Sequence, residues 1–107
     1  MQVPGPVHPI NVRFVSQRTL HKHGGRRKAT EQLRGLYDED KNVIYVLSSM
    51  SQEEQLHILF HEIAHAIEFQ TSGMEEEGRM DVIGKYLREL AGITTMEGLK
   101  NGTRNRN

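Results

Sequence analysis

The chain has 107 residues, enough for one small core and too few for two independent ones. Its 14 basic and 14 acidic residues cancel, which excludes a global field as the basis for gripping nucleic acid or a membrane surface, and without cysteine any metal must be held by His, Asp or Glu. No apolar run reaches the ~18 residues of a membrane span, and the N-terminus lacks the basic-then-apolar pattern of a secretion signal, so a soluble cytoplasmic protein is expected. Hydrophobic residues are 36% of the chain. On composition, the first ~25 and last ~8 residues of this single domain, 1–107, read as loosely structured around a core at about residues 29 to 92.

Pro4, Pro6 and Pro9 make the first residues an extended lead-in to Ile10-Asn-Val-Arg-Phe-Val15, whose alternation predicts a strand. HKHGGRRK, residues 21–28, reads as a loop. Its Arg26, Arg27 and Lys28 offer phosphate contacts, and His21 with His23 a second ion site, but the simpler reading is a solvated basic loop. The absence of stacking aromatics argues further against nucleic acid. Glu31–Tyr37 and Val43–Leu47, flanking the polar turn Asp38–Asn42, predict a β-hairpin.

Ser51-x-x-Glu54 is a capping-box pattern that starts a helix running to about Gln70. Leu56, Leu59, Phe60, Ile63 and Ile67 form its apolar stripe, and Ile58, Ala64, Ala66 and Phe69 extend it nearly all round, which predicts a buried central helix. Thr71-Ser-Gly73 ends it. A second helix is predicted from about Glu75 to Ala91, with Met80, Ile83, Leu87 and Leu90 on one face and Gly92 as its stop. The tail LKNGTRNRN reads as frayed.

The first of these helices carries HEIAH, His61 to His65. Residues four apart stack on one helix face, with Cβ atoms ~5–6 Å apart, so His61 and His65 can direct two imidazole nitrogens at one ion. Glu62, rotated by ~100° from His61, stands beside that ion as a general base for a water. H-E-x-x-H on a helix is the zinc-hydrolase pattern, in which the ion lowers the water's pKa to about 7. The alternative reading, two surface histidines and a solvated glutamate, sits poorly among Phe60, Ile63 and Ala64.

Catalytic zinc takes three protein ligands and keeps one position open. The third is expected from Glu75, Glu76 and Glu77, and extending the apolar stripe backwards points Glu76 toward the core. Glu77-x-x-x-Asp81-x-x-Gly84 resembles the third-ligand helix of gluzincins such as thermolysin. That resemblance implies Glu77 as the ligand, with Glu76 the alternate, Asp81 as the carboxylate that orients a ligand histidine, and Gly84 as a close-packing position. The stabiliser of a tetrahedral oxyanion stays open among Tyr37, Tyr45, Tyr86 and His57, and for His57 a polar role near the helix start is favoured.

The stretch GLYDEDKNVIYVLSSMSQEEQLHILFHEIAHAI resembles the hairpin, capped entry and active-site helix of ImmA/IrrE-type metallopeptidase domains and of small phage-encoded zincins. The resemblance implies an α+β minimal zincin fold. A small antiparallel-containing sheet would pack on an active-site helix, about 52–70, and a ligand-bearing helix, about 75–91. It also implies a zinc metallopeptidase acting on a protein or peptide substrate. The alternative is a non-catalytic zinc-containing protein that binds a protein or nucleic-acid partner. Substrate and oligomeric state stay open.

Overall fold

β-Branched runs form four strands: β1 at Gln2–Val3, β2 at Ile10–Val15, β3 at Gly35–Asp38 and β4 at Val43–Leu47. The computed structural model describes residues 1–24 and 33–104. It joins the strands in the order β1-β2-β4-β3. β1 runs antiparallel to β2, β2 parallel to β4, and β3 antiparallel to β4. The sheet is therefore mixed. A parallel pair needs a crossover, and helix α1, Gln17–His23, lies on this one, with Ser16 capping its start.

β4 is buried at every position. Ile44 and Val46 join the main core with Leu59, Ile63 and Ala66, whereas Val43, Tyr45 and Leu47 meet Leu20 and Leu33 in a second cluster. A strand covered on both faces needs apolar residues throughout, which explains why VIYVL carries no charged residue. The hairpin turn is closed by Asp38, whose Oδ1 accepts from the backbone N–H groups of Asp40 and Lys41. Asn42 takes the left-handed conformation at φ 54°, which its short polar side chain tolerates.

Helix α2, Gln52–Thr71, begins where the capping pattern places it: Ser51 Oγ accepts from the Glu54 N–H at 3.2 Å. Its burial is one-sided rather than all round. Leu56, Leu59, Ile63 and Ala66 face the core, while His57, His61, Ala64, His65 and Glu68 are exposed. Helices α3, Glu76–Leu90, and α4, Met96–Arg104, follow. Gly92, at φ 87°, lies just past α3 as the sequence predicts.

Two expectations are corrected. Within residues 1–24 the lead-in is structured, not loose. The Met1 amino group donates to Val12 O, the Val12 N–H donates to Met1 O, and Val3, Ile10, Val12 and Leu20 are core residues. Gln70 of α2 holds the same segment, accepting from the N–H groups of Val7 and His8 and donating to His8 O. Composition understated this region because Val3, Ile10, Val12 and Leu20, few as they are, are all buried.

The tail predicted to fray, residues 99–107, likewise overlaps helix α4, whose Met96 and Leu99 lie in the main core. Leu99 is 1% exposed. Leu99→Ala is expected to lower the unfolding free energy by about 2–4 kcal/mol in urea denaturation. A loss within about 0.5 kcal/mol would mean that α4 contributes nothing to the fold.

Candidate metal centre

The helical repeat brings His61 and His65 onto one exposed face of α2, with ring centroids 5.1 Å apart and planes at 77°. Glu62 turns inward between this face and the core and is 7% exposed. Ligand-type atoms of His61, Glu62 and His65 all lie within 4.8 Å of one another. Among the described residues they form the one group of three or more that could hold a metal ion.

The group borders a groove between α2 and β3, the sheet's outer strand, lined also by Leu33, Arg34, Gly35 and Ile58. The groove's volume, about 250 Å³, is below the range of an enclosed small-molecule pocket and suits an open cleft laid along a strand. A Cβ at Gly35 would collide with Ile58 Cγ2 and stand 3.2 Å from Glu62 Cγ. The missing side chain is what lets α2 press onto β3 there and hold the Glu62 stem against the strand.

Two imidazoles and a carboxylate are donor types that zinc and other divalent ions accept, and ligand atoms within 4.8 Å of one another could hold one ion. The predicted third ligand does not join them. Glu77, its alternate Glu76, and Asp81 are exposed on α3 and lie outside the group.

α3 buries Tyr86 and Leu90 and places Arg79 against α2, where its Nε donates to Thr71 Oγ1 at 3.0 Å. Met80 and Leu87, assigned to the core face by periodicity, are 51% and 53% exposed. The inward face is turned by roughly 60° from the expected one, and Glu77 and Asp81, which lie roughly 100° and 140° around the axis from even the expected face, are on the solvent side.

The oxyanion candidates are likewise placed elsewhere. Tyr86 donates its hydroxyl proton to Pro4 O at 2.6 Å, and Tyr45 is stacked on His23 with centroids 4.3 Å apart. Tyr37 donates to Asn42 Oδ1 at 2.6 Å. Burial pushes the Tyr37 hydroxyl above the usual phenol range; the Gln70 hydrogen bond opposes this, and Glu39 and Asp38 add to it. None of the three lines the groove. His57 opens onto a neighbouring cleft with Arg34, Glu53, Glu54 and Ile58.

Arg34, common to both clefts, was missed by sequence reasoning. Its signal was its place inside the predicted hairpin segment Glu31–Tyr37, ahead of the observed start of β3 at Gly35. Arg26, Arg27 and Lys28 of the basic loop lie outside the described residues.

No family model, curated protein or solved structure matches the chain.

Gly35→Ala is expected to push α2 from β3 and cost about 1–3 kcal/mol of stability in denaturant unfolding, with a matching loss of metal affinity. An unchanged midpoint would show that the strand and helix do not depend on this close approach.

Proposed function

We propose that this chain is a zinc-dependent metallohydrolase, a peptidase that takes an extended protein segment along β3 in the cytoplasm. Among the described residues no helix is long and apolar enough to cross a membrane. The observation that carries the proposal is the convergence of His61, His65 and the inward-turned Glu62 beside an outer strand. An outer strand offers unpaired backbone groups to an extended peptide, so the scissile bond can be presented to the group without a deep pocket.

In this reading His61 and His65 would hold the ion through one ring nitrogen each, together with a third protein ligand that the group does not itself supply when Glu62 is the base. A zinc ion bound there would polarise the peptide carbonyl and lower the pKa of a water to about 7. Glu62 takes a proton from the attacking water on a carboxylate oxygen as the new C–O bond forms. It then delivers that proton to the amine nitrogen as the C–N bond breaks. Its burial keeps the carboxylate directed at the groove rather than free to swing into solvent. Arg34, lining the same groove, is the cation placed to face a developing oxyanion or a substrate carboxylate.

A second reading draws on the same geometry. With the three donors within 4.8 Å, Glu62 can itself serve as the third ligand. The ion would then be structural, and the chain would act as a zinc-containing binding protein.

Glu62→Gln separates the two. The hydrolase reading expects stoichiometric zinc uptake by the parent, near-parental zinc affinity in Glu62→Gln, and a loss of roughly 10²–10⁴ in cleavage rate, measured on a peptide library with a chelator control. His61→Ala should lose both zinc and cleavage. A Glu62→Gln protein that cleaves as fast as the parent sinks the hydrolase mechanism, and one that loses zinc with no parental cleavage supports the structural ion.

A further inference from the structure

The rotation of α3 leaves an apolar stripe uncovered. Met80 and Leu87 are 51% and 53% exposed, and Gly84 between them has no atom within 4 Å of where a Cβ would stand. Ala91, the C-cap, is exposed as well. Met80, Gly84, Leu87 and Ala91 follow one another at the alternating four- and three-residue steps of a coiled-coil seam, with large side chains at one kind of seam position and small ones at the other. Asp81 and Arg88, both exposed, flank the stripe one heptad apart on the same side.

This pattern is self-complementary in one orientation. If two copies of α3 ran parallel, equivalent positions would meet, so Gly84 would face Gly84 across a gap, and Asp81 would approach Glu76 of the other copy, a like-charge contact. In the antiparallel orientation Leu87 of one copy seats over Gly84 of the other, and Met80 over Ala91. Asp81 of each copy then comes within reach of Arg88 of the other. A two-fold axis repeats every such contact, as a closed pair requires.

We propose that this face of α3 is a homodimer interface, in which a second copy of the chain packs α3 against α3 antiparallel. The seam is only one helix of 15 residues long, so the dimer is reversible and forms at the low end of stable interface sizes. The inference does not rest on the metal site, which uses the groove between α2 and β3.

Sedimentation velocity on the full chain, from about 1 to about 500 µM, tests it. The expected result is a concentration-dependent shift from monomer to dimer with no larger species. Leu87→Glu and Gly84→Gln should each leave the far-UV circular dichroism unchanged and hold the protein monomeric; the second adds its side chain at an open position, so loss of fold is not expected there. Asp81→Arg and Arg88→Asp should each weaken the dimer roughly tenfold, and the double variant should restore it, because the reversed charges again meet across the axis. A monomer at every concentration overturns the proposal. So does a dimer indifferent to Leu87→Glu and Gly84→Gln, or a double reversal no tighter than the single ones.

Discussion

The contact between α2 and β3 at Gly35 decides where the chemistry of this molecule can lie. Only a residue without a side chain lets Ile58 and Glu62 approach the strand so closely, and that approach buries the carboxylate while its histidine neighbours stay at the surface. One helix thereby supplies both the floor of the core, through Leu59, Ile63 and Ala66, and the three donors of the candidate centre. Glu62, at 7% exposure, thereby keeps its ligand-type atoms within 4.8 Å of those of the two accessible imidazoles.

The sheet supports this arrangement indirectly. β4 is covered on both faces, so it is a fixed rail, and β3 hangs from its outer side in a register that brings Gly35 opposite Val46. The backbone bond from the Leu47 N–H to Arg34 O extends that pairing to the residue before the strand, where the groove's cation sits. The lead-in, once tied to β2 and to Gln70, locks the far end of α2. The donors therefore lie on an element anchored at its capped start, at its middle and near its end.

Much of this was legible in the residues themselves. Ser51 and Glu54 marked the start of α2, the VIYVL run marked the second strand of the hairpin, and the four-residue spacing of His61 and His65 placed both rings on one face. These signals are local, and local rules suffice for them. The lead-in and tail were misjudged because their contribution is long-range. Tyr86 reaching Pro4 O, or Leu99 entering the main core, depends on the path of the whole chain and leaves no mark in a ten-residue window.

The orientation of α3 was misread for a more specific reason. Hydrophobic periodicity weighs Met80 and Leu87 as core residues and Arg79 and Tyr86 as surface ones, yet Tyr86 buries a ring with its hydroxyl satisfied, and Arg79 extends to a buried threonine at the end of α2. Long amphipathic side chains can thus claim an inward face that simple hydropathy awards to shorter aliphatic ones. That rotation of roughly 60° presents two large apolar side chains to water beside a bare glycine. An apolar stripe at seam spacing with self-complementary charges at its edge is less costly to keep exposed when it is exposed only in the free chain.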